Sequence, residues 1–304
     1  MVFANANFPT SLDGRTYHVE LKRGEAANRM ITVGDPARAK RLTQFLDSEY
    51  PVFEMSSHRG FYTATGRYKG IPVSIVAIGM GIPMMDFFVR EVRAVVDGPM
   101  CIIRLGSCGS LNGAKPGEFM VPTSSVALTR NYNYFAPNSK VQKPYDISME
   151  FPADETLSNL LTQELTQVFG EEKVHNGVNI TADSFYSSQG RVDENFVDAK
   201  ENLFQVIREE LPTAVSLEME TFMLYHLAHC TTSAPLTEKK NNQSIHCGAS
   251  MMVFADRVTN QFIDHTIVPD LEEKAGRAVF ESLIKWSPDE ALHEDQGSVW
   301  ELKK

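Results

Sequence analysis

The sequence predicts an α/β fold, in which short buried strands alternate with amphipathic helices. Apolar runs of strand length, such as RMITVG at 29–34 and IPVSIVAIGMG at 71–81, are each followed by a segment with helical character. The chain has 304 residues, 42% of them hydrophobic, which is enough to bury a large core. Neither an internal repeat nor a convincing linker interrupts it, so we expect one domain over residues 1–304.

The first half of the chain contains three predicted strands and two predicted helices. After the strand at 29–34, Asp35 suits an N-cap and Pro36 the first helical position, so GDPARAKRLTQFL predicts a turn and a helix. The run at 71–81 is rich in β-branched residues, and the apolar residues after it recur at helical spacing, namely Met85, Phe88, Val89, Val92 and Val96. CIIRLG at 101–106 lacks alternation, which is typical of a central strand buried on both faces.

The second half continues the alternation. A helix with leucines at helical spacing ends at Gly170, and VHNGVNITA at 174–182 returns to strand character. The remaining predicted elements are helices at 196–211 and 220–229, a strand at 246–256 and a closing helix at 264–285. The polar segment SAPLTEKKNNQ at 233–243 lies between two apolar elements, so we expect a surface loop there.

Charge and cysteine usage narrow the classes of function. The formal net charge of -10 opposes a general attraction to nucleic acid or to anionic membranes. Because the chain shows no basic leader before an apolar run and no segment long enough to span a bilayer, we expect a soluble, cytoplasmic protein. The cysteines lack metal-ligand spacing, and we expect reduced core thiols and no bound metal; they are Cys101, Cys108, Cys230 and Cys247.

Polar groups follow or interrupt several predicted strands, at the sheet edge where α/β proteins bind ligands. In GDPAR, the helix amides after Gly34 face a place where an anion can bind, and Arg38 lies one turn into the helix. The motif alone is equally typical of a capped turn with a solvated arginine, and taken by itself it favours that interpretation.

The motif RLGSCG gives a stronger signal. Arg104 lies inside an apolar strand, and Gly106, Ser107 and Gly109 are predicted to form a turn whose amides and hydroxyl converge. An unpaired buried guanidinium is unfavourable by several kcal/mol, so Arg104 requires an internal carboxylate or a bound anion. Of these two, the sequence favours the anion.

The motif SLEMET at 216–221 has carboxylates at Glu218 and Glu220 on either side of Met219. Carboxylates can accept hydrogen bonds from vicinal sugar hydroxyls, and a methionine offers an apolar floor for a sugar ring. A helix N-terminus with acidic residues that complement its dipole explains the motif equally well.

The motif TADSFYSSQGR at 181–191 carries a complement to uracil. Phe185 can stack on a base, Gln189 presents a donor and an acceptor together, and Arg191 presents donors only. Uracil displays two carbonyl oxygens around one N–H, which these two polar side chains can satisfy between them. An ordinary polar surface loop is the alternative.

The four motifs GDPAR, RLGSCG, FYSSQGR and LEMET occur in the order and at roughly the spacing of the nucleoside phosphorylase family. From about TYHVEL to ADRV the chain resembles the uridine phosphorylases of that family. The resemblance implies a single-domain α/β/α sandwich around a mixed central β-sheet. It also implies phosphorolysis of uridine to uracil and ribose 1-phosphate in pyrimidine salvage, with phosphate as co-substrate and no metal or organic cofactor.

The resemblance also implies a role for each matching residue. The phosphate site would comprise Gly34, Arg38, Arg104 and Ser107, together with Arg59 from a neighbouring subunit. The ribose contacts would be Glu218, Met219, Glu220 and a His18 that crosses the subunit interface. The base site would comprise Phe185, Gln189 and Arg191, and the groups acting directly on the reaction would be Arg104, Gln189 and Arg191. Shared sites imply a homodimer, and bacterial relatives assemble such dimers into rings of six.

Three positions depart from the family pattern. Ser107 stands where threonine is common, and Gly60 stands where some bacterial relatives have a glutamate that helps to hold a monovalent cation, so we expect no such ion. Asp256 stands near the place where purine-cleaving relatives have a catalytic aspartate. We favour an ion pair between Asp256 and Arg257 at the pocket rim, which leaves use of purines as an alternative.

Two other classes of function are a hydrolase and a non-catalytic nucleoside-binding protein. Either should lack some of the site residues, yet all are present.

Overall fold

The computed structural model describes residues 3–199, 202–233, 243–287 and 296–301, so most of the predicted loop at 233–243 lies outside the described residues. The strands are β1 (Phe3–Ala4), β2 (Thr10–Ser11), β3 (Arg29–Val33), β4 (Phe53–Ser56), β5 (Tyr62–Tyr68), β6 (Ile71–Ala77), β7 (Met100–Ser110), β8 (Phe119–Arg130), β9 (Tyr145–Ile147), β10 (Phe151–Pro152), β11 (Val174–Ala182), β12 (Ala214–Glu218) and β13 (Ile245–Asp256). The helices are α1 (Pro36–Leu42), α2 (Ile82–Val95), α3 (Glu155–Phe169), α4 (Leu203–Glu210), α5 (Thr221–Ser233) and α6 (Val268–Lys285). The predicted alternation is therefore confirmed.

In the part of the chain that the structure describes, helices cover both faces of one mixed sheet of eleven strands. Successive residues of a strand point to opposite faces, and β7 shows the consequence: Ile103 packs with α1, α3 and α6, whereas Ile102 packs with α2 and α5. Burial on both faces explains the near-continuous apolar runs of β3 and β7. The predicted α/β/α sandwich with a mixed central sheet is thus confirmed. Within the described residues, no helix combines the length and the apolar character needed to cross a membrane.

Two helices begin later than the sequence predicted. The helix expected over 196–211 begins at Leu203, because Phe196 and Val197 are 72% and 91% exposed and offer the core no apolar face. The closing helix begins at Val268, since Asp264 accepts a hydrogen bond from the backbone N of Thr266 at 2.9 Å and forms a local turn before the helix.

The turn predicted over Gly106, Ser107 and Gly109 is wrong, because β7 continues as a strand to Ser110. β13 pairs with β7 in parallel along its whole length, and this pairing keeps the backbone extended. The polar residues of RLGSCG therefore lie along a strand instead of at its end.

The opposite edge of β7 is shared by two strands that run in opposite directions. β3 pairs in parallel with residues 101–104 of β7, and β12 pairs antiparallel with Gly109 and Ser110. The ends of β3 and β12 consequently face each other, and residues 105–108 of β7 lie between them. This gap positions the candidate site.

Candidate active site

A cavity of about 510 Å³ opens at the gap between the ends of β3 and β12. Most of the residues that the sequence singled out line it: Gly34, Arg38, Arg104, Ser107, Phe185, Gln189, Arg191, Glu218, Met219 and Glu220. Within the sheet, β11, β12, β7 and β3 are successive neighbours. The loop after β11, the carboxylates after β12, Arg104 of β7 and the turn after β3 therefore follow one another across the cavity.

Arg104 lies on β7 and is only 4% exposed. Its Nε donates to Oε2 of Glu218 at 3.2 Å, and its Nη2 donates to Oε2 of Glu220. Gly106 leaves room for this guanidinium, since a Cβ at that position would lie 3.0 Å from Nη2. The preference for an anion over an internal carboxylate as the partner of Arg104 is therefore wrong, whereas its contact with phosphate stays a prediction. Its Nη1, however, is buried and has no hydrogen-bond partner among the described residues, so one donor is left for a ligand.

The three charges influence one another's ionisation. Burial lowers the pKa of Arg104, but the carboxylates of Glu220 and Glu218 outweigh burial and raise it overall. Burial raises the pKa of Glu218, yet Arg104 and hydrogen bonds from Thr181 and Asn179 lower it overall. Burial raises the pKa of Glu220 to about 6, with Arg104 opposing the shift and the charge of Glu218 adding to it. The cluster thus favours a charged Arg104 and Glu218, with Glu220 the easiest to protonate.

Both carboxylate oxygens of Glu218 already accept hydrogen bonds from described residues. Its Oε1 accepts hydrogen bonds from Nδ2 of Asn179 at 2.9 Å and from the hydroxyl of Thr181, and its Oε2 accepts one from the backbone N of Glu220 at 2.9 Å. The backbone N of Thr221, the first residue of α5, also donates to it. Glu218 therefore supports Arg104 and the start of α5, as the helix N-terminus interpretation of SLEMET predicted.

Asn179 and Thr181 were missed by reasoning from the sequence. Both are fully buried on β11 and point to the same face, because they are two residues apart in a strand. The available signal was that VNITA places two polar side chains on one face of a predicted buried strand. Buried polar groups need hydrogen-bond partners, so this pattern indicates a polar cluster.

Glu220 is held from two sides. Its Oε2 accepts from Arg104, and its Oε1 accepts from the backbone N of Gly81. Gly81 has a φ of 96° and precedes α2, so the glycines that end the run at 71–81 serve to turn the chain toward Glu220. The loop that results also brings Met80, a residue that the sequence did not single out, to the cavity wall.

The GDPAR motif forms the capped helix start that the sequence predicted, but its arginine is not solvated. The side chain of Asp35 accepts hydrogen bonds from the backbone N of Ala37 at 2.9 Å and of Arg38 at 3.2 Å. The cap therefore takes the amides of Ala37 and Arg38, and these two amides do not face an anion. Arg38 is 7% exposed, and its Nε donates to Oε1 of Glu272 at 2.7 Å.

The loop after β11 gathers the predicted base-binding residues. The Arg191 guanidinium stacks over the Phe185 ring with 3.8 Å between Cζ and the ring centroid, and its Nε donates to the Phe185 carbonyl at 3.0 Å. Its Nη2 donates to Oε1 of Gln189 at 3.4 Å. Burial and the nearby charge of Arg257 lower the pKa of Arg191 to about 10, so this side chain still carries its charge at neutral pH.

The ion pair predicted between Asp256 and Arg257 is wrong. Asp256 accepts hydrogen bonds from the backbone N of Val258 at 2.8 Å and from the hydroxyl of Thr259 at 2.6 Å, which close a tight turn after β13. Arg257 instead donates to the backbone carbonyl of Gln189 at 3.1 Å. β13 ends at Asp256 and the chain turns from Arg257 onward, so the two neighbouring side chains have separate partners. Asp256 is also not among the residues that line the cavity.

His18 and Arg59 lie outside the cavity of their own chain. His18 stacks on Phe87 with the ring centroids 3.9 Å apart, and its Nδ1 lies 2.6 Å from Oε1 of Glu91. Arg59 is exposed, and its guanidinium lies 5.7 Å from the ring centroid of Tyr17. These side chains therefore form a surface cluster that cannot complete the cavity within one chain.

Two aromatic residues of the cavity wall were not identified from the sequence. Phe254 on β13 and Phe262 after it both line the cavity, with their ring centroids 6.4 Å apart, and Phe262 is 58% exposed. An exposed aromatic at a cavity mouth can bind an apolar or planar ligand face.

Comparison with known proteins identifies the family to which the chain belongs. Residues 28–236 match the family model of the phosphorylase superfamily. The chain is 31% identical to a uridine phosphorylase of Thermococcus kodakarensis over 86% of this chain and 84% of that protein. It is 30% identical to a DeoD-type purine nucleoside phosphorylase of Caldanaerobacter subterraneus over 48% of this chain and 66% of that protein.

A solved structure from a study of two uridine phosphorylases of the oomycete Phytophthora capsici superimposes with a TM-score of 0.87 at 38% identity, covering 94% of this chain and all of that one. The family model spans the elements from β3 to α5, which carry most of the cavity. The chain therefore belongs to the phosphorylase superfamily.

Proposed function

We propose that this protein is a uridine phosphorylase, which converts uridine and inorganic phosphate to uracil and ribose 1-phosphate. The observation that carries the proposal is the order of groups across the cavity. Arginines on α1 and β7 lie toward one side, Met219 and Glu220 lie next to them, and Gln189 and Arg191 occupy the loop beyond. A phosphate, a sugar and a base joined in that order fit this arrangement. The likeness, over most of the chain, to a protein named uridine phosphorylase and to a structure from a study of two uridine phosphorylases supports it.

The arginine side of the cavity suits a phosphate dianion. Nη1 of Arg104 is a buried donor without an acceptor among the described residues, and Arg38 and Ser107 line the same wall. Guanidinium groups present forked donors that match phosphate oxygens, which makes arginine better suited than lysine to hold the anion in one orientation.

The loop side of the cavity suits a pyrimidine. Gln189 is 3% exposed and can donate to one carbonyl of uracil and accept from its N–H, while Arg191 donates to the other carbonyl. Arg191 covers one face of Phe185, so a base stacked on that face requires the guanidinium to move toward the base edge. Asp256 lies outside the cavity lining, which weighs against a purine-protonating role.

The proposed chemistry is a displacement at the anomeric carbon. A phosphate oxygen forms the bond to C1′ while the bond from C1′ to N1 of uracil breaks, and its electron pair remains on N1 until water supplies a proton. The sugar acquires oxocarbenium character, which the adjacent phosphate charge stabilises. Gln189 and Arg191 stabilise the departing base, and the phosphate is itself the nucleophile, so we assign no metal, no organic cofactor and no protein general base.

We also propose a homodimer in which His18 and Arg59 enter the partner's cavity, to contact ribose and phosphate respectively. The support is their position outside the cavity of their own chain, where His18 is partly exposed and Arg59 is exposed. The net charge of -10 favours small-molecule partners over nucleic acid, and we propose a cytoplasmic location for such an enzyme.

The test is base release from uridine and inosine by the purified protein, each with and without inorganic phosphate. We expect uracil only when both uridine and phosphate are present. Release without phosphate would make the protein a hydrolase, release of hypoxanthine would make it a purine or broad-specificity enzyme, and no release would favour a binding protein.

A further inference from the structure

A buried carboxylate joins the first and last helices behind the cavity. Glu272 on α6 is 4% exposed, and its Oε1 accepts from Nε of Arg38 at 2.7 Å. Its Oε2 accepts from Nη2 of Arg41, one turn further along α1. Glu272 does not line the cavity, whereas Arg38 does.

The two helices approach closely at this point because of a glycine. Gly276 lies one turn after Glu272 on α6, and a Cβ at that position would lie 2.3 Å from Cδ2 of Leu42 on α1. The contact of α6 with α1 therefore depends on a missing side chain, and it brings Glu272 within reach of Arg38.

The hydrogen bonds of Arg38 fix its orientation. Nε is held by Glu272, and Nη1 donates to the backbone carbonyl of Leu105, the residue after Arg104 in β7. No hydrogen bond from Nη2 of Arg38, the remaining corner of the fork, to a described residue accompanies these two. Two of its three nitrogens are thus anchored behind the cavity wall, which leaves the third for a ligand.

We propose that Glu272 is a positioning residue for phosphate, which acts by fixing the rotamer of Arg38. The inference rests on the proposed phosphorolysis and extends it to a residue outside the cavity. A side chain that binds a ligand keeps a precise position only when further hydrogen bonds lock its rotamer.

This role makes a prediction of definite sign. Glu272 carries a negative charge behind an anion site, so a purely electrostatic effect would make phosphate bind more tightly once that charge is removed. A positioning effect makes phosphate bind more weakly, because Arg38 loses its fixed orientation. The two effects therefore differ in direction.

The test is steady-state kinetics of the full-length Glu272→Gln variant, with uracil release as the readout. We expect the KM for phosphate at saturating uridine to rise about tenfold or more, the loss typical of a hydrogen bond between charged groups. We expect the KM for uridine at saturating phosphate to stay within about twofold. A general structural defect would move both constants or lower the active fraction instead.

Glu281→Gln is the matched control, because it makes the same substitution on the same helix, where Glu281 bonds to Lys69 away from the cavity. It should leave both constants unchanged. If Glu272→Gln does not fold, Glu272→Asp keeps the charge but retracts it from Arg38, and the KM for phosphate should rise again.

An unchanged or lower KM for phosphate in the folded Glu272 variants, or an equal rise in both constants, would overturn the inference. The wild-type protein is assayed in parallel, so the two hypotheses fail separately. A wild type that releases no uracil with phosphate contradicts the proposed function, whereas an active wild type with unaffected Glu272 variants contradicts only the positioning role.

Discussion

At one side of the cavity, Arg38 and Arg104 lie on a helix and a strand, and each is held by a buried carboxylate from a distant part of the chain. At the other side, Arg191 lies on a loop, and within the described residues its side chain bonds only to Phe185 and Gln189 of that loop. The arginine side thus depends on buried ion pairs with distant residues. Among the described residues the Arg191 side chain has no such ion pair, and the contact of its loop with Arg257 uses the backbone carbonyl of Gln189. Changes at the arginine side should therefore affect stability and activity together, and changes in the loop should affect activity alone.

Arg104→Ala should produce the largest effect. It removes a donor from the cavity and leaves Glu218 and Glu220 as buried carboxylates without their cation. We expect kcat/KM for phosphate-dependent uracil release to fall at least about a thousandfold. We also expect the free energy of unfolding, measured with denaturant, to fall by about 3–5 kcal/mol.

Arg104→Lys is the informative control for this variant. It keeps the charge but not the fork that reaches both carboxylates, so it should recover part of the stability and little of the activity. Wild-type activity in Arg104→Ala would show that Arg104 takes no part in binding phosphate.

The double substitution Gln189→Ala with Arg191→Ala tests the other side of the comparison. Losing preorganised donors to the leaving base should lower kcat/KM for uridine by about a hundredfold or more. The free energy of unfolding should change by less than roughly 1 kcal/mol, because no buried carboxylate loses a partner. Val192→Ala, on the same loop and 82% exposed, should change neither quantity. A large loss of stability in the double variant would contradict the distinction between the two sides.

The pH dependence of stability should identify Glu220 as the titrating member of the arginine side. Because the folded protein raises its pKa from the ordinary 4.5 to about 6, the folded state binds the proton more tightly than the unfolded state. Glu220 therefore adds stability as the pH falls from 6 to 4.5 and loses that contribution as the pH rises through 6.

Denaturant unfolding of the wild type and of Glu220→Gln at pH 5 and pH 7 measures this contribution. The stability of the wild type relative to the variant should increase on going from pH 7 to pH 5, by at most about 2 kcal/mol. A relative stability that is flat or falls with acidification would show that Glu220 is not the carboxylate with the raised pKa.

The sequence predicted the components of the cavity more reliably than their connections. The existence of the strands, the cap at Asp35 and the loop motif followed from local patterns of glycine, charge and apolar spacing, although the end of β7 did not. The partners of Arg104 lie 114 and 116 positions away along the chain, and Glu272 lies 234 positions from Arg38. The pairs of Arg104 depend on how β12 meets the edge of β7, and the pair of Arg38 depends on how α6 packs on α1. Both are properties of the tertiary fold and leave no local signal.

At Asp256, adjacency in the sequence suggested an ion pair, but the carboxylate bonds to the turn that follows β13 and Arg257 bonds to Gln189. Asp256→Asn should therefore have the smallest effect of these substitutions. The amide can still accept from the turn but more weakly, so we expect a loss of about 1 kcal/mol in the free energy of unfolding. Uridine kinetics should stay within about twofold of wild type. A selective loss of inosine cleavage, measured beside uridine, would instead show that Asp256 acts on a purine base and that the turn opens toward the cavity when substrate binds.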